Sequence, residues 1–135
     1  MKALTLLVFA LLAARVCAAD GVAVFQAGLR AYQANGPDAL LNTWYSLEGE
    51  QEEVAELRQR LKRATASLGP VVDTQVFAPR DLGRHVQRLY GVIYFERRPL
   101  WVRAEYYAIG TRSGFIALEF SLHADDILPL TFAHP

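Results

Sequence analysis

The sequence predicts an α+β domain: three N-terminal helices packed on a curved four-stranded antiparallel sheet. Two observations carry this reading. Apolar residues recur at helical spacing as far as Leu68 and at alternate positions from Val71 onward. The change of period falls at Gly69-Pro70, and the later apolar runs are separated by turn residues.

Residues 1–19 read as a secretory leader. Met1-Lys2 is basic, Ala3–Ala14 is an apolar run broken only by Thr5, and Cys17-Ala18-Ala19 supplies small residues ahead of Asp20. Ala14-Arg15-Val16 lacks the small residues that precede a lipidated cysteine. The run of about twelve apolar residues falls short of the roughly twenty that span a bilayer, so no membrane span is expected after cleavage. Cys17 is the single cysteine, so the mature chain has no disulfide or thiolate ligand. The expected destination is a bacterial periplasm or the medium. Residues 20–128 are expected to form one domain, and 129–135 an irregular tail.

Asp20 is placed to cap a first helix over Gly21–Ala34, with Phe25, Leu29 and Tyr32 on one stripe. Asn35-Gly36-Pro37 ends it. Pro37-Asp38 starts a second, short helix that buries Leu40, Leu41, Trp44 and Leu47. The third, Gln51–Leu68, places Val54, Leu57, Leu61, Ala64 and Leu68 on one side. Its acidic start and basic end suit the helix dipole. That charged surface reads as a solvated face.

The strands follow as Val71–Ala78, Arg84–Glu96, Leu100–Ile109 and Phe115–Leu122. Pro79–Gly83 is a loop, and Asp125–Pro135 is irregular. Alternation puts Leu89, Ile93, Phe95, Leu100, Val102, Ala104, Tyr106, Ile116, Leu118, Phe120 and Leu122 against the helices. The opposite face receives Arg88, Tyr90, Tyr94, Trp101, Arg103, Glu105, Tyr107 and Glu119. Trp, Tyr and Arg are enriched at binding hot spots. Tyr90, Tyr94, Trp101, Arg103 and Tyr107 are therefore the candidate interface, for a second copy or for an unknown exported protein partner. Cross-strand aromatic and Arg–Glu pairs on an ordinary solvated face would give the same pattern.

This order of elements resembles the nuclear transport factor two-like superfamily of cone-shaped α+β domains. Within it, the chain is similar to short exported bacterial domains of unknown function. The resemblance rests on Phe25, Leu29 and Tyr32, the charged helix ending at Leu68-Gly69, and Leu89-Tyr90. It continues through Pro99-Leu100-Trp101, Tyr106-Tyr107, and Gly114-Phe115 leading to Phe120. It covers most of residues 20–128. It implies a cone-like roll and a homodimer through the outer sheet face. The superfamily includes enzymes with a pocket Asp–His pair as well as non-catalytic binding domains, so it selects no activity.

Composition excludes several classes. Without residues 1–19, twelve basic residues face fourteen acidic ones, so the basic groove that a nucleic-acid platform needs is missing. No phosphate loop, dinucleotide fingerprint or nucleophile elbow occurs. His85, His123 and His134 are the histidines. His123-Ala124-Asp125 is the one local His–carboxylate pairing, short of the three ligands a zinc site needs. The expectation is a non-enzymatic binding domain with no catalytic residues, metal or cofactor. The alternative is a small apolar ligand or a catalytic pocket inside the cone, walled by Trp44 and Tyr45, with His85, His123 and Asp125 as polar groups.

Overall fold

Helix α1, residues 21–35, ends where Gly36 adopts φ 87° and donates its N–H to the Tyr32 carbonyl at 2.8 Å. Only glycine takes that left-handed conformation without strain. Pro37, whose fixed φ suits a first helical turn, opens α2 (Pro37–Trp44). Helix α3 (Glu52–Thr65) follows. The computed structural model describes residues 21–45 and 52–133. The expected leader with Cys17, the capping Asp20, Leu47 and His134 lie outside the described residues.

Five strands form one antiparallel sheet: β1 (Val71–Val76), β2 (Arg80–Asp81), β3 (Val86–Phe95), β4 (Pro99–Ile109) and β5 (Arg112–Ser121). The order is β1-β3-β4-β5, and the two-residue β2 pairs β3 beyond β1. The α+β class and the antiparallel sheet agree with the sequence reading, and the strand count is corrected. Pro79–Gly83 is not wholly a loop, because Arg80 and Asp81 pair with Arg88 and Gln87. The C-terminal segment is not wholly irregular either. It contains two single-turn helices, α4 (Ala124–Ile127) and α5 (Leu130–Ala133). Two-residue strands and four-residue helices carry too little periodicity to be read from sequence. No described helix is long and apolar enough to cross a membrane.

The main core lies between the N-terminal helices and the inner sheet face. Phe25, Leu29, Tyr32, Leu40, Leu41, Trp44 and Leu61 meet Leu89, Ile93, Leu100, Val102, Ala104, Tyr106 and Phe115. Gly91 lets α1 approach β3, because a Cβ there would lie 2.9 Å from both the Leu29 and Phe25 side chains. Gly28 serves a helix–helix contact. It accommodates the Trp44 indole of α2, which a Cβ would meet at 1.9 Å. The indole N–H then donates to the Val24 and Phe25 carbonyls at 3.0 and 3.3 Å.

Ile116 departs from the predicted core. In β5 the register passes from Ala117 to Phe115, skipping Ile116, so Phe115 takes the inward place and Ile116 is 58% exposed. In β1 the register likewise skips Val72, which is 62% exposed. Each is a β-bulge, where one extra residue breaks the two-residue alternation.

Across the helix layer, Arg58 of α3 pairs with Asp38 of α2 at 2.7 Å, and Lys62 approaches the same carboxylate at 3.2 Å. Hydrogen bonds from Arg58 first, then Lys62, hold the Asp38 carboxyl below its ordinary range. A group whose pKa is lowered on folding stabilises the fold above its unfolded value, about 3.9 for Asp. That contribution is lost as pH falls through the lower folded value. The side chain of Asp38 is half exposed, so the expected effect is under about 1 kcal/mol. Urea unfolding of wild type and Asp38→Asn at pH 6 and pH 2.5 measures it. The stability gap should close at the lower pH, and an unchanged gap would refute this assignment.

Candidate functional site

The outer sheet face has two regions, and the chain's own C-terminal segment separates them. By alternation from the observed register, Gln75, Arg88, Tyr90, Val92, Tyr94, Trp101, Arg103, Glu105, Tyr107 and Glu119 belong to this face. A tail of α4 and α5 lies over its middle. Ile127 is buried, and Phe132 packs on Tyr90 with ring centroids 5.2 Å apart. Phe77 lies 5.7 Å from Phe132 and stacks on Trp101 at 6.3 Å. Tyr90, Val92 and Ile127 are thus buried on the sheet side opposite the main core.

This layer engages two of the five expected interface residues directly, Tyr90 and Arg103, and Trp101 through Phe77. Tyr90 is 2% exposed under Phe132. The structure therefore corrects its assignment to an open surface, since the covering element comes from the same chain. Tyr94 is half-buried and donates its hydroxyl to Gln75 Oε1 at 2.7 Å. Trp101 is half-buried against Phe77. Arg103 pairs with Glu119 and donates Nη1 to the Ile127 carbonyl at 3.3 Å, tying sheet to tail. Beside it, Arg88 pairs with Glu105 at 2.8 Å, and that hydrogen bond raises the Arg88 pKa above its ordinary value. Both ion pairs join directly opposed residues of neighbouring strands.

Tyr107 is placed differently. It pairs with Val86 on one side and Gly114 on the other, at the end of the sheet that carries the β4–β5 turn. Ile109 lies two residues further on and is 43% exposed, and Leu82, next to Val86 across a backbone hydrogen bond, is 46% exposed. Ile116 is at the same end, between Phe115 and Ala117, which pair with Tyr106 and Glu105. Three of the five exposed large apolar residues among the described residues therefore lie at the Tyr107 end of the sheet. Concentration at one end, unlike scattered exposed apolar residues, marks an interaction surface. Sequence alternation indicated Tyr107 but not Ile116, whose exposure depends on the bulge.

The expected pocket residues do not converge. Trp44 is a core anchor, stacked on Phe25 at 5.0 Å, and its indole N–H is already engaged. Tyr45 is half-buried at the end of α2, where burial and then the Glu53 carboxylate push its phenol pKa up. His85 is exposed, with Nδ1 3.2 Å from the Ala108 carbonyl oxygen. His123 is exposed beyond the other end of β5. Between the rung of Val86, Tyr107 and Gly114 and that of Val92, Trp101 and Ser121 lie six residues of strand, about 20 Å. The histidines therefore sit at opposite ends of the sheet. Asp125 is exposed in α4, and it is Asp126 that accepts a hydrogen bond from Ser121, at 2.6 Å. Among the described residues no three His, Cys, Asp or Glu side chains gather as a metal site.

An apolar crevice does lie between the helices and the inner sheet face. It is lined by Leu40, Trp44, Leu61, Ile93, Leu100, Val102, Leu118 and Phe120 and encloses about 10 Å³. That is about the space of one water molecule. Of the expected pocket residues only Trp44 lines it.

No family model, curated protein or solved structure matches the chain.

Proposed function

We propose that this chain is an exported, non-enzymatic binding domain that associates with a second copy of itself through the outer sheet face, at the Tyr107 end. One observation carries the reading: Leu82, Ile109 and Ile116 are all exposed at the end of the sheet that holds Tyr107. Burying that end against its symmetry mate removes apolar surface from water at about 25 cal/mol per Å². A two-fold dimer uses the same patch twice, so one self-complementary patch suffices. The sheet edges are less suited to self-association, because the edge strands β1 and β5 each carry a bulge. Bulges twist an edge away from a partner strand. Association through the outer face is also what a roll of the nuclear transport factor two-like kind would imply.

Light scattering across a dilution series at two salt concentrations tests the reading. The expected result is twice the chain mass at high concentration, with little salt dependence because the contact is apolar. A variant carrying Tyr107→Ala and Ile109→Ser should shift the midpoint of association at least about tenfold to higher concentration. A wild-type monomer at every concentration, or an unaltered dimer in the variant, would overturn it.

A further inference from the structure

We propose that the outer face carries a second, separate binding site: an aromatic groove that accepts a protein segment bearing a phenyl ring beside a hydroxyl side chain, with the tail as its tethered occupant. The groove is made by Phe77, Tyr90, Trp101 and Arg80. The tail shows the chemistry the groove accepts. Its Phe132 ring packs against Phe77 and Tyr90, and the Arg80 guanidinium lies over that ring, 5.1 Å from its centroid. The same guanidinium donates Nη2 to the hydroxyl of Thr131. One arginine thus reads two adjacent features, a π face by cation–π attraction and an oxygen by hydrogen bonding.

The tail is held by side-chain docking alone, through buried Ile127 and the bonds from Arg103 and Ser121 in α4, and through Thr131 and Phe132 in α5. It pairs with no strand, so the sheet ladder is complete without it. It is two single turns joined through Leu128, which like His123 before α4 has extended backbone. Such turns have no stability of their own and stay in place by docking. Without the tail, Tyr90 and its apolar neighbours would face water, so the groove favours being refilled by a similar segment. A tether of this length presents the tail at an effective concentration of order millimolar. A partner segment with more contacts can therefore displace it.

The test uses the full chain with Phe132→Ala, whose tail cannot fill the aromatic site. The probe is a synthetic peptide of residues 124–133, followed by tryptophan fluorescence, since Trp101 stacks on the groove wall. The expected result is saturable binding at least about tenfold tighter than to wild type, where the tethered tail competes. Binding should vanish for the same peptide with alanine in place of its phenylalanine, and weaken at least about tenfold when Arg80→Ala is added to the protein. No binding up to about 1 mM by a cooperatively folding variant, or equal binding of the ringless peptide, would overturn the proposal.

If Phe132→Ala does not fold, the wild-type tail supplies the reading. Leu130→Cys, at a 77% exposed position that leaves Thr131 and Phe132 intact, is labelled with bimane in a chain carrying Cys17→Ser, and a nearby tryptophan quenches the emission. Peptide should restore the emission by freeing the tail, and unchanged emission would overturn the proposal. The groove and the Tyr107 end share no residue, so this site and the proposed self-association stand or fall separately.

Discussion

Phe25→Ala is expected to destabilise the protein by about 3–5 kcal/mol, the range for deleting a fully buried aromatic ring. Phe25 is inaccessible to solvent, stacks nearly parallel on Trp44 at 5.0 Å, and lies 6.5 Å from the Phe115 ring. It also packs over Gly91, where β3 has no side chain to fill the space left behind. The cavity therefore cannot collapse easily, and the cost belongs toward the upper part of the range. Thermal unfolding should show a fall in Tm of at least about 10 °C. Gln26→Ala, an exposed neighbour on the same helix, should stay within about 0.5 kcal/mol of wild type. A loss below about 1 kcal/mol at Phe25 would mean that α1 does not pack on the sheet as described.

Gly28→Ala should cost about 2–5 kcal/mol, although alanine is the better helix former by about 1 kcal/mol. The new methyl would lie 1.9 Å from Trp44 Nε1, 2.3 Å from Cε2 and 2.5 Å from Cδ1. Its neighbour is a rigid ring, fixed by stacking on Phe25 and by the indole N–H bonds to the Val24 and Phe25 carbonyls. Relief requires α1 and α2 to separate, which forfeits both the packing and the hydrogen bond. Combining Gly28→Ala with Trp44→Leu provides the decisive comparison. The double variant should be more stable than the sum of the two single losses predicts, because removing the indole removes the clash. Additive losses would show that the two residues do not meet.

The two substitutions differ in how visible their sites are in the sequence. Phe25, Leu29 and Tyr32 announce a buried stripe by spacing alone, and all three are buried. Gly28 lies on the same helix, but its role depends on Trp44, sixteen residues away on another helix. No local pattern encodes that contact. The sheet shows the same division. Alternation correctly turned Leu89, Ile93, Leu100, Val102 and Ala104 inward. It failed at Ile116, because a bulge shifts the parity of every residue beyond it, and bulge positions are set by partner-strand register.

The candidate surface was only partly legible. The list Tyr90, Tyr94, Trp101, Arg103 and Tyr107 is a correct list of outer-face residues by register. Alternation reports which face a side chain takes, not what lies over it. Only the path of residues 124–133 across that face divides the list, leaving Tyr107 at the end with the exposed apolar residues and burying Tyr90. The tail gave little signal, since α4 and α5 are each too short to show a period.

By itself the sequence determined where helix gives way to strand, which stripe of α1 is buried, and which side chains share a sheet face. Those properties follow from local spacing and turn chemistry, which act over a few residues. The tertiary structure alone decided which glycine holds two helices together, where the strands bulge, that His85 and His123 lie at opposite ends of the sheet, and that the tail covers the aromatic groove. Each of these depends on contacts between distant parts of the chain, whose energies no local window contains.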